Sequence, residues 1–343
     1  MKKKYALKDI AEKSGVSIGT VDRVIHNRGR VSKEAVEKVN SVLKELDYTP
    51  NPMARSLRNN TTYKIYILIP DPKKDPYWIP CEQGIMEVIK EFRAFDVEIV
   101  VQKYDPSKPR SFSLVGNKVL GNNPNALLFV PLFDKESERL TEKLDKKDIL
   151  TATFNSPARK KVDQHVGQDL FLSGRVAAKL AQGSVSSSSD IAIVHIDEAI
   201  NNSVHMQEKE NGFKRYFEDN ETKRHILTLT AKTHELDGSL SNLIKKHPKL
   251  DAFFVTTSKT YKVVQVMEKL GVRAKIVGYD LLPQNVVGLQ DGKIEYLIHQ
   301  TPSLQASLSL RSIIEKLLFN KEPLQEQLLP IEIINSENVK SYL

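Results

Sequence analysis

From Tyr63 onward the chain repeats one unit, a short apolar run of strand length followed by an amphipathic stretch of helical period. Such runs occupy Lys64 to Pro70, Val97 to Gln102, Ala126 to Leu132, Ile149 to Phe154, Asp190 to Ile196, Ala252 to Thr256 and Ala274 to Tyr279. Strands that alternate with helices build parallel sheets with helices on both faces, and ligands then sit at the carboxyl ends of the strands. The Ser184 to Ser189 tract reads as a surface loop. At 343 residues the chain exceeds one ordinary core, so a small domain plus a larger bilobed unit is expected.

The first fifth of the chain differs in charge. Of a formal net charge of +8, the segment through residue 62 carries thirteen Lys and Arg against seven Asp and Glu, which leaves the remainder nearly balanced. A short, well-patterned basic block points to a folded headpiece with a polyanionic partner.

Its hydrophobic pattern is helix, turn, helix. Leu7, Ile10 and Ala11 recur at helical spacing, Ser14-Gly15-Val16-Ser17 interrupts, and Val21, Val24 and Ile25 resume. Gly15 suits the positive φ of a tight turn, and small Ala11 lets the second helix approach the first. Ser17 is placed to cap the second helix by accepting from the amide of Gly19 or Thr20. That helix carries Ile18, Gly19, Asp22 and Arg23 near its N-terminal end, where a recognition helix meets base edges in the major groove. Arg23 can donate a bidentate pair to guanine, worth roughly 1–3 kcal/mol of discrimination. Asp22 either accepts from cytosine or fixes a neighbouring guanidinium. Asn27, Arg28 and Arg30 suit phosphate clamps.

Ser32 starts a third helix, expected to bury Val36, Val39, Leu43 and Leu46 and to stop before Tyr48-Thr49-Pro50. Asn51-Pro52 then caps and opens a short helical segment, Met53 to Arg58, too short to be stable alone in water.

These residues resemble the lactose/galactose repressor (LacI) family of bacterial regulators. The run from Leu7 to Ile25 matches the family headpiece nearly throughout, as does Tyr48-x-Pro50-Asn51-x-x-Ala54-Arg55-x-Leu57 at the hinge. The resemblance implies a dimer on double-stranded operator DNA of imperfect palindromic form, with paired hinge helices in the minor groove and Leu57 as an apolar wedge. Gly19 and Asp22 depart from the side chains common at the reading positions, so the operator is not transferable from other members. The DNA-facing set expected is Ser17, Ile18, Gly19, Thr20, Asp22, Arg23, Asn27, Arg30, Asn51, Ala54, Arg55 and Leu57.

The second part is similar to the type I periplasmic sugar-binding fold, two doubly wound parallel-sheet lobes with a ligand between them. The expected organisation is an all-α headpiece at 1–50, a hinge helix at 51–60 and an α/β effector domain at 61–343. One lobe comprises about 61–160 and 301–325, the other about 161–300 and 326–343. By the same resemblance, Asp75-Pro76-Tyr77-Trp78 presents aromatics that stack on a sugar ring. Val277-Gly278-Tyr279-Asp280 makes Asp280 an acceptor for sugar hydroxyls, and Ile298 to Pro302 points Gln300 into the cleft. Asn211-Gly212-Phe213 puts Lys209 where a ligand-gripping arginine usually sits. Asn155-Ser156 stands where sugar receptors often have Asp-Arg, and Thr257 where they often have Asn. A small-molecule effector, a neutral sugar by preference, follows, with a phosphorylated sugar or nucleobase as the alternative.

Other classes are disfavoured. No phosphate-binding Gly-x-x-x-x-Gly-Lys loop, Gly-x-Ser-x-Gly elbow or His-Glu-x-x-His motif is present. His195, His205, His225, His234, His247 and His299 lack ligand spacing, so neither metal nor cofactor is expected and no catalytic residue is assigned. The one cysteine, Cys81, reads as a packing residue. Charges interrupt any apolar core of an export signal, and no apolar run is long enough for a membrane span, so a cytoplasmic protein is expected. A transport receptor has no use for a DNA-binding headpiece.

Overall fold

A computed structural model of the chain describes residues 5, 7–25, 29–46, 62–197, 202–221 and 224–343. It divides into two compact units, Met1–Thr61 and Thr62–Leu343.

In the first unit α1 (Leu7–Ser14), α2 (Ile18–Ile25) and α3 (Lys33–Glu45) enclose Ile10, Ala11, Val21, Val24, Val39 and Val42. Gly15 takes φ 66° between α1 and α2, and the Val16 amide closes the turn on the Ala11 carbonyl at 3.2 Å. Ser32 caps α3 by accepting from the Ala35 amide. Along α3, Val42 is buried, whereas Val36, Leu43 and Leu46 are only partly covered. The apolar stripe is therefore rotated toward Val39 and Val42 compared with the expected set. Asn27, Arg28, Asn51, Ala54, Arg55 and Leu57 lie outside the described residues.

The second unit contains two six-stranded sheets. The first has the order β11 (Glu326–Leu328), β5 (Gln164–Gly167), β4 (Leu150–Asn155), β3 (Ala126–Phe129), β1 (Tyr63–Pro70), β2 (Val97–Tyr104), all parallel. The second runs β12 (Glu332–Ile334), β10 (Tyr296–His299), β9 (Lys275–Tyr279), β8 (Leu250–Val255), β6 (Asp190–Ile196), β7 (Ile226–Ala231), with only the β10–β12 pair antiparallel. The strand order reverses at β1/β3 and again at β6/β8, and such switch points open crevices at the carboxyl ends of the strands.

Three details differ from the sequence reading. The run at Ala126 leaves the sheet after Phe129, just ahead of Pro131, which has no amide to give a ladder. The edge strand β7 was not anticipated, because one of its faces is solvent-exposed and its apolar run is diluted. Gln164–Gly167 and Glu326–Leu328 belong to the first sheet, so that lobe extends past 160 and takes back residues 326–328.

The chain crosses between lobes after β5, after β10 and after β11. Gln168, buried on the first crossover, ties all three: its side-chain amide donates to the His299 carbonyl at 3.0 Å and to the Pro330 carbonyl at 2.7 Å. On the second sheet the helices Leu170–Ser184 and Val204–Asp219 touch through glycines. A β-carbon at Gly174 would lie 2.0 Å from the Lys209 carbonyl oxygen, and one at Gly212 1.9 Å from that of Phe171. This close crossing fixes the height of Lys209.

Candidate functional sites

On the headpiece, Ser17 leads into α2, and its hydroxyl accepts from the Thr20 amide at 3.1 Å while exchanging a 2.9 Å bond with the Thr20 hydroxyl. Ser17, Gly19 and Arg23 are exposed, Thr20 and Asp22 half-buried, and Arg30 exposed beyond the helix. Ile18 leaves 46% of its surface in water, an exposed apolar tip on this helix. One face of α2 is thus core, through Val21 and Val24, and the other is an open polar surface with one apolar tip.

In the second unit, a cavity of about 430 Å³ opens between the carboxyl ends of the two sheets. That volume lies within the range of small-molecule sites, roughly 300–1,000 Å³. Six of the eight residues expected here line it: Tyr77, Trp78, Lys209, Thr257, Asp280 and Gln300. Asn155 and Ser156 do not. Asn155 turns inward and donates to the Tyr77 hydroxyl at 2.5 Å, and Ser156 is fully buried.

Asp75 caps the short turn Pro76–Trp78 by accepting from the Tyr77 amide, which aims both aromatics at the cleft floor. Tyr77 and Trp78 meet edge to face at 4.8 Å, and Trp78 packs on Phe154 behind it. Both rings are almost entirely buried, so they offer the cavity an edge rather than a free face.

The polar wall comes from the second lobe. Lys209 Nζ sits 3.6 Å above the Tyr279 ring and donates to the Thr256 carbonyl at 3.2 Å. Asp280 accepts from the Gln300 amide and from its side chain. Burial pushes the Asp280 carboxyl up, while the His299 and Lys209 charges and the Gln300 bonds pull it down; the upward shift wins. Burial and the nearby Asp280 charge hold the Tyr77 phenol well above its ordinary value, so it stays a neutral donor. Asn155, Asp197 and Asp280 all adopt positive φ at strand ends, a conformation that Asn and Asp tolerate better than most residues and that turns their side chains toward the lobe junction.

The rim of the cavity carries charged pairs that no motif in the sequence announces. Lys74 and Lys108 flank Asp105 at 2.5 Å and 3.6 Å, and Lys259 pairs with Asp197 at 2.8 Å. Burial alone would push Asp197 up, but bonds from Lys259 and Thr233 outweigh it and hold the carboxyl at about 2. Burial likewise opposes ionisation of Asp105, and Lys74 and Ser107 overcome it, leaving Asp105 well below the usual carboxylate range. Both aspartates directly follow a strand end, a position signal that could have found them.

At the cleft edge the lobes are bridged. Asp134 receives the Arg159 guanidinium at 3.0 Å and the Val204 amide at 3.3 Å, so the first lobe caps a second-lobe helix. Arg159 also reaches Gln207, and Asn202 bonds both the Lys135 amide and Glu136.

A helix-turn-helix unit with an exposed second helix, joined to a bilobed domain that holds a cavity of small-molecule size, is the arrangement of a ligand-responsive DNA-binding regulator. The model of bacterial regulatory proteins of the lacI family matches residues 6–51, and that of the periplasmic binding protein domain matches residues 65–321. The chain carries a DNA-binding domain of the lacI family of bacterial regulatory proteins joined to a periplasmic binding protein domain that spans most of its length, and it is a transcription regulator, not an enzyme. It is 25% identical to the ribose operon repressor of Halalkalibacterium halodurans over 90% of this chain and 91% of that protein. It is 36% identical to the sucrose operon repressor of Pediococcus pentosaceus over 34% and 36% of the two chains. Its fold resembles a putative LacI transcriptional regulator from Bacteroides fragilis, with TM-score 0.78 and 24% identity across 82% of this chain and 100% of that one. No described helix is long and apolar enough to cross a membrane.

Proposed function

We propose that this chain represses carbohydrate-utilisation genes and that a neutral sugar in the cleft controls its hold on operator DNA. The observation that carries this reading is the cavity itself. Its wall gathers a buried carboxylate, an amide, a hydroxyl and a lysine, beside the edges of two aromatic rings. Five lysines and four aspartates line it, and Lys74 and Lys108 share Asp105 while Lys259 pairs with Asp197. Near balance of charge favours a polyhydroxylated neutral ligand over a phosphorylated one, which needs a surplus of unengaged cations. The operons named for the similar repressors, ribose and sucrose, agree with this class.

In this reading residues 1–50 form the headpiece, 51–60 the hinge helix and 61–343 the effector and dimerisation domain. Ile18, Gly19, Thr20 and Arg23 face the bases from a helix that Ser17 caps, Asp22 accepts from cytosine or fixes a neighbouring guanidinium, Asn27 and Arg30 lie on phosphates, and Asn51, Ala54, Arg55 and Leu57 lie in the minor groove. The protein acts in the cytoplasm as a homodimer, since an imperfect palindrome needs two headpieces. Ligand shifts the operator equilibrium only by its differential affinity for two lobe arrangements, of order 1–3 kcal/mol. A thermal-shift screen of the full chain against pentoses, hexoses, polyols, sugar phosphates and nucleobases tests the ligand class. Stabilisation by neutral sugars alone is expected, and stabilisation only by phosphorylated or nitrogenous ligands overturns the reading.

A further inference from the structure

At the amino ends of the second sheet, on the side opposite the cleft, three side chains of metal-binding type converge. Asp190 opens β6, His225 immediately precedes β7, and His247 ends the helix Leu236–Lys246 shortly before β8. Because β6 lies between β7 and β8 in a parallel sheet, their starting residues arrive at one edge. No spacing along the chain announces this group, since its members belong to three separate segments.

The backbone holds all three in place. Asp190 donates its amide to the Lys249 carbonyl at 2.7 Å, the His225 carbonyl accepts from Ile191 at 3.2 Å, and the His247 carbonyl accepts from Leu250 at 3.0 Å. The pairing of β6 with β8 shifts register between Asp190 and Ile191, at the point where the group forms. His225 Nδ1 lies 3.4 Å from Asp190 Oδ2, and the two imidazole rings are 5.5 Å apart. One ligand atom from each residue falls within 4.8 Å of the other two.

We propose that Asp190, His225 and His247 bind a divalent transition-metal ion of the zinc class, at a site separate from the effector cleft. Tetrahedral zinc with bonds of about 2.0–2.2 Å separates neighbouring ligand atoms by roughly 3.3 Å. The Asp190–His225 pair already has that separation, and the ligand atom of half-buried His247 lies within 4.8 Å of both. Three protein ligands leave a fourth position for water, on the exposed side where His225 stands.

The surroundings select the metal. Arg224 is held by the Ser186 and Ser189 carbonyls at 3.0 Å and 2.7 Å and lies within the field of Asp190, so the site has one carboxylate and a guanidinium beside it. Calcium and magnesium depend on several oxygen ligands and on negative charge, and they are excluded here. Zinc, cobalt, nickel and copper bind imidazole nitrogen strongly enough to tolerate the positive neighbour. A bound ion ties the starts of β6 and β7 to the loop before β8, and therefore stabilises the folded chain in proportion to free metal.

The test is a titration of the full-length, chelator-stripped chain with zinc chloride in competition with a chromophoric chelator. One equivalent per chain is expected, with a rise in melting temperature as zinc is added, and cobalt(II) should give visible absorption on occupying the same position. His225→Ala and His247→Ala, checked for unchanged metal-free melting, should each lose the equivalent, and Asp190→Asn should weaken it at least about tenfold. His225→Gln serves where His225→Ala fails to fold. His234→Ala, which removes an exposed histidine elsewhere on the surface, should leave binding intact. Absence of saturable binding up to about 100 µM zinc overturns the proposal, as does an equivalent that survives in the His225→Ala/His247→Ala double variant. Binding of calcium as tight as that of zinc overturns the metal class.

Discussion

Gln300 donates twice to Asp280, from its backbone amide at 3.0 Å and from its side-chain amide at 2.7 Å. The pair joins the end of β9, which faces the cleft, to the crossover that carries the chain back to the first lobe. It therefore couples a carboxylate on the cavity wall to a hinge segment, and it keeps each Asp280 oxygen engaged while leaving further lone pairs open.

Replacing Gln300 with Ala removes the side-chain donor and leaves a buried carboxylate partly unsatisfied, at a cost of about 1–3 kcal/mol. Calorimetry with the best-stabilising sugar should show affinity reduced by roughly tenfold or more, and the ligand-free melting temperature should fall by about 2–4 °C per kcal/mol of that cost. Wild-type affinity in Gln300→Ala would remove this pair from the account of the cleft.

The Asp134 bridge makes a second prediction. Asp134 is buried and spans the lobes through Val204, so Asp134→Ala removes the cap of a second-lobe helix as well as the partner of Arg159. The ligand-free variant should populate a more open arrangement, read as a larger radius of gyration in solution scattering, and should bind sugar several-fold more weakly. An unchanged radius of gyration and an unchanged affinity would show that the bridge does not set the lobe equilibrium.

Gly212→Ala should be severe for a residue that touches no ligand. Its β-carbon would meet the Phe171 carbonyl at 1.9 Å, so the two helices must separate. Overpacking of this kind costs about 1–3 kcal/mol, or a melting-temperature loss of roughly 2–4 °C per kcal/mol for a domain of this size. Gly183→Ala, with open space around the added carbon, is the control and should not destabilise.

These residues also show what a sequence can and cannot disclose here. Gly15 and Ser17 are legible because a turn and a cap each require a particular residue at a local position, whereas the close helix crossing at Gly212 shows only in the fold. Asp280 and Gln300 are legible because strand ends in this architecture face a crevice. Asn155 and Ser156 occupy a strand end too, yet the chain turns them inward onto Tyr77 and into the core, and no local pattern encodes that rotation. The Lys74–Asp105 and Lys259–Asp197 pairs, the Asp134 bridge and the Asp190–His225–His247 group are assembled from segments far apart in the chain. Periodicity carries no information about such meetings.

Acid stability follows from His165. Burial holds its imidazole down at about 4, against an ordinary value near 6.5, with Thr153 bonded to Nδ1 at 3.0 Å. The unfolded chain therefore takes up the proton first as pH falls. Stability from this group is complete above about pH 6.5, declines through the window down to about 4 and loses about 3 kcal/mol in all. Denaturant melts between pH 7 and 5 should show this slope, and His165→Asn should flatten it. At Glu210 burial pushes the carboxyl up, but bonds from His195 and Lys214 outweigh it and hold it at about 2, so its contribution is lost only as pH falls from about 4.5 to about 2, below the range of these melts.

The central claim is that occupancy of the cleft changes affinity for a specific DNA sequence. The direct measurement is fluorescence anisotropy of the full chain on an operator recovered by selection from random duplex DNA, with and without each stabilising sugar. The account predicts that a sugar which binds the cleft alters operator affinity by roughly 5–150-fold, and that Arg23→Ala weakens the same operator by about 1–3 kcal/mol. A sugar that saturates the cleft and leaves operator affinity unchanged would contradict it.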